Sequence, residues 1–553
     1  MKFDVDVLVV GAGPVGLTMA IALRRLDLRV RIVDKDPGTN REPRADVLFP
    51  RAGEALGSLG VGETIRQSSY QMRSADIYDR GRRLGSFKVG RFESQYPTAM
   101  TIEQHEIERI LAKELAQLGV NVEWQTKAME MRPHENRVDM TLRLPDGETQ
   151  EITAAWVVGC DGPRSMVRNR LGIAYEGHPR ANMQVVQGNV VPTWPLSDRQ
   201  GHGYFFLAPF RSVIAFPTPS GGYRIFCVRD DPDPERTEAP TLEELRGLVA
   251  EAANIPDLKL ELTEPVWLSR ARFADRVAAT LRRGRVLLAG DAAHSWAPLG
   301  GHGMNVGILG AHNLAWKLAA VHRGQAADAL LDSYEAEQRA LAFGVIRDMK
   351  FQPFEALLPP RAHRLRCAAL RVGLRSELFQ RHGEWIMSDF GRNHRKSPLS
   401  WQRSGRRRLG GTPGPQAGDR MPDIAVVPAG PAAGSAGEGQ PTRLHRLLRY
   451  DRWTLLLNTA RADTATLHAL RDACAHCPAP VEIVPVAAAG PDAARQLGQV
   501  DELRLVRPDG YVGLVASLDH LDTLRDYLAT FLLGSGPPIA IRYDGAREKE
   551  WWT

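Results

Sequence analysis

Three glycines at fixed spacing, Gly11-x-Gly13-x-x-Gly16, stand between the β-branched run Val5-Asp6-Val7-Leu8-Val9-Val10 and an Ala- and Leu-rich stretch that reaches Leu26. The run reads as a buried parallel strand and the stretch as a helix. A second strand follows at Val30–Val33, so residues 3–35 form one βαβ unit. In such a unit Gly11 permits the tight turn, Gly13 lets the backbone approach a pyrophosphate, and Gly16 lets helix and strand pack closely. The helix N-terminus adds unpaired N–H groups and the positive end of a dipole. Asp34 closes the second strand, where a carboxylate accepts a hydrogen bond from a ribose hydroxyl. The plain alternative is an ordinary glycine turn and a surface acid, but both flanking elements and the acid are in register. The pattern points to dinucleotide binding without separating FAD from NAD.

At 553 residues the chain exceeds one hydrophobic core and should hold two to four domains. The net charge of +6 is small for this length, and the basic residues are interleaved with Asp and Glu, which argues against a nucleic-acid partner. The densest basic cluster, Arg406-Arg407-Arg408, reads as a solvated linker entrance. Five cysteines, an odd number, do not make a disulfide framework and favour a reducing cytoplasm. Val5–Leu23 superficially resembles a signal peptide, but Gly11, Gly13, Pro14 and Gly16 interrupt its apolar run. No stretch approaches the roughly 20 apolar residues of a membrane span. A soluble cytoplasmic protein is expected.

Further along, Ile107, Ile110, Leu111, Leu115 and Leu118 give helical spacing from about Gln104, and residues 121–160 alternate as strands ending at Ala155–Val158. Between 181 and 270, strand-like pieces (Gln184–Val191, Tyr204–Leu207, Tyr223–Val228) alternate with turn-rich segments, as in an inserted, mostly antiparallel sheet domain. The nucleotide fold resumes at Arg285–Gly290 and a long helix from about Asn305 to Val321. The expected division is a discontinuous nucleotide-binding domain (1–180 and 271–345), a substrate sheet domain (181–270), a helical connector (346–404), a Gly/Pro/Ala-rich linker (405–443, with Pro428–Gln440 nearly featureless) and a small α/β domain (444–553).

Two more segments carry chemistry. Gly290-Asp291 ends an apolar strand and is followed by Pro298-Leu-Gly-Gly301-His302-Gly303-Met304-Asn305, a glycine-rich loop before a helix. A planar ligand can approach such a loop closely, and the helix end behind it stabilises negative charge. Cys160-Asp161-Gly162-Pro163-Arg164-Ser165-Met166-Val167-Arg168 would on its own pass for a turn with solvated arginines.

Taken together, the three segments resemble the p-hydroxybenzoate hydroxylase-like group of flavin monooxygenases, which shows a GxGxxG, a DG and a GD segment in this order. Arg285–His294, Asn313–Leu318 and Asp332-Ser-Tyr-Glu-x-Glu337-x-Arg339 are especially similar. The resemblance covers residues 3–345 well. Beyond them the chain looks like the thioredoxin-like domain of phenol, 3-(3-hydroxyphenyl)propionate and polyketide hydroxylases. It implies an α/β fold in which a Rossmann-like FAD-binding domain carries the inserted sheet and a C-terminal thioredoxin-like domain. It also implies that Asp34 binds the adenosine ribose, Arg44 the pyrophosphate, Gln104 the ribityl side and Asp291 a ribityl hydroxyl, with the backbone at Gly303, Met304 and Asn305 cradling the isoalloxazine. Gly11, Gly13, Pro14, Gly16, Lys35, Asp161, Gly162, Pro298 and Gly301 complete the implied cofactor contacts. Two positions depart from the pattern: His302 replaces the usual Gln and Ala297 a second Pro.

In that family NAD(P)H reduces FAD, O2 adds at flavin C4a, and the hydroperoxide attacks a ring carbon ortho or para to a phenolic oxygen. A small aromatic substrate is implied; a homodimer is left open. Polar-aromatic candidates for the substrate pocket are His202, Tyr204, Phe206, Phe216, Tyr223 and Trp296, with His202 or Tyr204 as relay for the phenolic proton. For each one singly, a core aromatic is the plainer reading. No metal set is found, since His294 lacks partners at ligand spacing. Cys474-Ala-His-Cys477 falls at the far end of an expected helix, where the dipole disfavours a thiolate, so a redox role is not expected. The rival readings are a Baeyer–Villiger, N-hydroxylating or halogenation-like reaction on the same scaffold, and a thiol-redox protein.

Overall fold

The computed structural model describes residues 3–39, 45–180, 182–196, 201–264, 266–349, 354–403, 414–429, 440–459, 463–498 and 500–532. Arg44, the Arg406–Arg408 cluster and most of the featureless segment lie outside the described residues.

Val5–Val10 lies at the heart of a parallel sheet, with Val9 opposite Val158 of the strand Thr149–Gly159 on one side and Ile32 of Val30–Val33 on the other. Val286–Leu288 extends the sheet beyond Thr149–Gly159, also in parallel. Val7, Leu8 and Val9 are fully buried because helices cover the sheet, which explains a hydrophobic run without alternation. The helices Pro14–Arg25, Gln104–Gln117 and His302–His322 pack together against it. The antiparallel strands Lys127–Pro133 and Val138–Arg143 join its edge through Thr149–Gly159.

A second sheet runs in the order Lys259–Leu262, Met183–Thr193, Tyr223–Asp230, Arg211–Pro217, His202–Ala208, Ser74–Asp79, Arg82–Lys88, with Leu268–Ala271 also on Met183–Thr193. Two of its strands come from residues 74–88, which the sequence reading left in the nucleotide fold. His202–Ala208 recruits Ser74–Asp79 in parallel, a long-range pairing that local patterning does not disclose. One face packs on the helix Leu242–Ala253 through Tyr204, Phe206, Tyr223, Leu245 and Val249. At its Ser74–Lys88 edge the other face meets the helix Pro360–Gly373 through Ile77, Leu207, Cys367 and Leu370. There His363 Nε2 contacts Asp79 Oδ1 at 2.9 Å, fastening that helix to the sheet.

The C-terminal sheet has the order Trp401–Arg403, Val512–Ser517, Glu502–Val506, Trp453–Asn458, Val481–Ala488, Ala425–Pro428, Thr442–Arg443. The expected connector and linker therefore need correcting. Residues 401–403, 425–428 and 442–443 are strands of this sheet, each too short to show periodicity.

The C-terminal module docks on the first through buried charge. Arg507, fully buried, donates to Glu337 Oε1 at 2.6 Å and Oε2 at 3.0 Å, and also pairs with Asp509. Lys317 Nζ lies 2.8 Å from Glu337 Oε2, and Trp316 Nε1 donates to Asp509. A second contact joins Glu54 to Arg420, whose Nε donates at 2.7 Å. Burial alone would raise the Glu54 carboxyl, but Arg420, His445 and Arg51 pull it down to about 2. The stabilisation this implies is present above the ordinary Glu value of 4.5 and is lost as pH falls toward 2. Across that window the wild type should lose about 3 kcal/mol that Glu54→Gln does not lose. Urea midpoints at successive pH values check this, with the variant starting lower and following a flatter curve.

Candidate active site

A cavity of about 540 Å³ opens where the first sheet, the loop after Val286–Leu288 and the second sheet converge. One wall is made of glycine-rich backbone. Gly11 has φ +103°, and a Cβ there would stand 2.4 Å from the Cys160 carbonyl oxygen. At Gly16 a Cβ would meet the Gly11 oxygen at 1.9 Å, so both positions demand glycine. Gly13 differs: it has ordinary φ, no side chain caps the helix it begins, and a Cβ there would meet nothing within 4 Å. The open space in front of Gly13 is what an approaching diphosphate needs. Asp34 accepts the Ala12 N–H at 2.6 Å and so sits against the same turn.

The loop 290–304 forms the adjoining wall. Gly300 and Gly301 both have φ +72°, and the helix His302–His322 starts without a side-chain cap, leaving its first N–H groups available. The Asn305 side chain holds this loop to the strand Val47–Leu48: it accepts the Phe49 N–H at 2.7 Å and donates to Val47 O at 3.0 Å. Gly303, like Gly13, has open space where a Cβ would be.

Of the cofactor positions taken from the sequence, Gly13, Pro14, Gln104, Gly162, Asp291, Pro298, Gly301, Gly303 and Met304 line the cavity. Gly11 and Gly16 build the turn behind it. Asp161 is spent elsewhere: it accepts from Ser165 Oγ and the Met166 N–H, both at 2.6 Å, and from the Val167 N–H, holding the start of the helix Met166–Arg170. Lys35 is exposed beyond Asp34.

Four substrate candidates need correcting. His202, Tyr204 and Tyr223 lie on the sheet face turned away from the cavity, together with Phe206. Tyr204, Phe206 and Tyr223 pack there around Trp194, and His202 is held between Ser74 Oγ at 2.8 Å and Asp76 at 3.2 Å. Successive strand residues point to opposite faces, so Phe205, Ile214, Phe216, Arg224 and Phe226 face the cavity instead. Trp296 and Phe216, of the original six, line it. Tyr204→Phe should therefore leave product yield per NAD(P)H consumed unchanged, as measured by H2O2 release; a rise in H2O2 would return Tyr204 to the site.

Sequence reasoning missed several polar cavity residues. Arg224, opposite Phe216 in the register, donates to Asn189 at 2.5 Å and lies over the Trp267 ring. Asp46 is half-buried, with its carboxyl raised by burial against the pull of Arg224. Glu355 was not singled out at all. His302 Nδ1 stands 3.0 Å from Asp389 Oδ1, a polar contact rather than an aligned hydrogen bond, and both residues are buried. Burial would raise Asp389, but His302 and Arg392 hold it below the usual carboxylate range. Asp389 adopts a left-handed φ of +60°, which for a non-glycine marks local strain.

Cys474 ends the helix Thr464–Cys474, and burial pushes its thiol up to about 11. The thiolate needed for redox work is disfavoured there.

The glycine cradle, the two uncapped helix starts and the adjoining apolar chamber are the arrangement of a dinucleotide-dependent oxidoreductase. Comparison with known proteins makes this specific. Residues 4–348 match the model of the FAD binding domain family, and residues 414–535 that of the aromatic-ring hydroxylase C-terminal domain. Pentachlorophenol 4-monooxygenase of Sphingobium chlorophenolicum is 30% identical over 96% of this chain and 97% of its own. 6-Methylpretetramide 4-monooxygenase of Streptomyces rimosus is 36% identical over 60% of this chain, a match that spans 59% of that relative. Among solved structures, anhydrotetracycline hydroxylase from Streptomyces rimosus superposes with a TM-score of 0.73 at 28% identity, covering 96% of this chain and 99% of the other. The chain belongs to the FAD-dependent aromatic-ring hydroxylases, a family of flavoprotein monooxygenases.

Proposed function

We propose that the chain hydroxylates a flat, phenol-bearing aromatic substrate with NAD(P)H and O2, in the cavity between the glycine cradle and the second sheet. The observation that carries this reading is the composition of the two walls: bare backbone and helix N-termini on one side, Phe205, Phe216, Phe226 and Trp296 on the other. The relatives include enzymes named for pentachlorophenol, 6-methylpretetramide and aklavinone, which supports an aromatic substrate.

Asp34 is the residue we assign to the adenosine ribose, the N–H groups after Gly13 to the pyrophosphate, and Gln104 and Asp291 to the ribityl chain. Gly301–Met304 are assigned to the flavin ring. When bound, FAD supplies the redox chemistry, passing electrons from the nicotinamide to O2 for insertion into the ring. The protein's own residues do the rest. The aromatic wall orients the ring and keeps water out. With Nδ1 of His302 turned to Asp389, Nε2 is the nitrogen left to accept the phenolic proton. His302→Leu should lower the hydroxylation rate about a hundredfold while FAD stays bound; a rate within twofold of wild type would remove His302 from the mechanism.

The C-terminal module is assigned to the thioredoxin-like class. The parallel pair Trp453–Asn458 and Val481–Ala488 joined by a helix, then the antiparallel pair Glu502–Val506 and Val512–Ser517 and a closing helix, support it. Exposed Leu365, Val372 and Leu378 support a homodimer, and free cysteines a cytoplasmic setting.

The test is ligand-stimulated NAD(P)H oxidation across simple phenols and polycyclic aromatics under 18O2, with product mass. One labelled oxygen on a ring carbon is expected. An oxygen inserted into a C–C bond would favour the Baeyer–Villiger reading.

A further inference from the structure

Among the ionisable groups of the chamber wall that the scheme above leaves unused is Glu355. Glu355 lines the cavity and is only 8% exposed, with the ring of Phe354 before it 5.1 Å from that of Phe205 and tilted 43° to it. Its Oε2 is buried without a hydrogen-bond partner among the described residues. A buried carboxylate in that position is costly, and the neutral acid is far less so. Burial accordingly pushes the carboxyl up to about 8, against smaller pulls from the Gly300 N–H and Arg180. Arg180 is itself paired with Asp275 at 2.8 Å and does not neutralise Glu355. The other charged or titratable groups on the chamber are Arg224, bonded to Asn189, Asp46, Cys160, Asp291, His294 and His302, with Asp389 behind His302. In its acid form Glu355 offers an O–H donor to a chamber whose sheet-side wall includes Phe205, Phe216 and Phe226.

We propose that the Glu355 carboxyl donates a hydrogen bond to a carbonyl oxygen of the aromatic substrate, and so selects ring systems that carry such an acceptor over equally flat rings that lack one. This rests on reading the chamber as the substrate site. A buried donor left unpaired penalises any ligand that does not satisfy it, which converts one side chain into a selectivity filter. Ionisation removes the donor, so the selectivity is present at low pH and fades as pH rises through the carboxyl's titration.

Xanthone and xanthene, the same tricycle with and without a carbonyl, are the probes. FAD-loaded protein is titrated with each, following flavin fluorescence, at about pH 6.5 and about pH 9.5. Wild type should bind xanthone about tenfold tighter than xanthene at the lower pH, and the advantage should shrink severalfold at the higher. Glu355→Gln keeps an N–H donor and should hold the preference at both pH values; Glu355→Leu should lose it at both. Equal binding of the two probes by wild type, binding of neither, or a preference surviving in Glu355→Leu would overturn the proposal. If Glu355→Leu fails to load FAD, Glu355→Gln decides: a pH-dependent preference persisting there assigns the titration elsewhere and also overturns it. A yellow protein that fails these tests sinks the role of Glu355 alone, whereas a colourless one sinks the chamber reading beneath it.

Discussion

Gly13→Val should give a protein that folds and melts like FAD-free wild type yet purifies without colour. The expectation comes from the contrast among the three glycines of the first turn. A Cβ at Gly11 or Gly16 collides with backbone at 2.4 Å or 1.9 Å, so substitution there damages the fold itself. At Gly13 the backbone has φ −71° and ψ −178°, which any residue adopts, and a Cβ there meets nothing within 4 Å among the described residues. What it does meet is the space a diphosphate would occupy. Losing two charge-assisted hydrogen bonds from the helix N–H groups costs about 3–6 kcal/mol, or at least about a hundredfold in FAD affinity. Flavin absorbance against protein concentration, together with a thermal melt, checks both halves. A G13V protein as yellow as wild type would mean that the cofactor phosphates lie elsewhere.

Arg507→Met should produce the largest loss of stability, about 3–5 kcal/mol, because it strands Glu337 and Asp509 in a buried site with Lys317 left to pair with Glu337. The buried cluster sits between the helices His302–His322 and Asp332–Met349 on one side and the turn after Glu502–Val506 on the other. The first of those helices begins at the cavity loop, so the loss bears on the site as well as on docking. Removing one charge of each sign, in Arg507→Met with Asp509→Asn, should recover part of the loss. The readout is the urea midpoint of the FAD-free proteins. A single variant within about 1 kcal/mol of wild type would show that the two modules do not depend on this cluster.

The nucleotide-binding half was legible because its signals are local. Strand, turn and helix follow one another within residues 5–26, and the strand is hydrophobic throughout because both faces are buried. The loop 298–305 was legible for the same reason, its glycines preceding a long helix. The sheet domain was harder. Both faces of the strand His202–Ala208 are buried, so Tyr204 and Phe206 look no different in sequence from Phe205. Choosing the wrong parity moved His202, Tyr204 and Tyr223 from the outer face into the expected pocket. Phe216 carried the correct parity, and its partner Arg224 follows from the register once the pairing is known. Glu355 and Asp389 were invisible for another reason. Each is a single acid in a segment without motif or period, and only the folded chain brings it to the cavity. The strands at 425–428 and 442–443 escaped because a sheet built from distant pieces leaves almost no trace in each piece.

The most direct test of the account is the visible absorption spectrum of the purified wild-type protein, before and after incubation with FAD and desalting. A flavin spectrum at one FAD per chain, lost in Gly13→Val, is the expected result. A folded wild-type protein that stays colourless after incubation would contradict it.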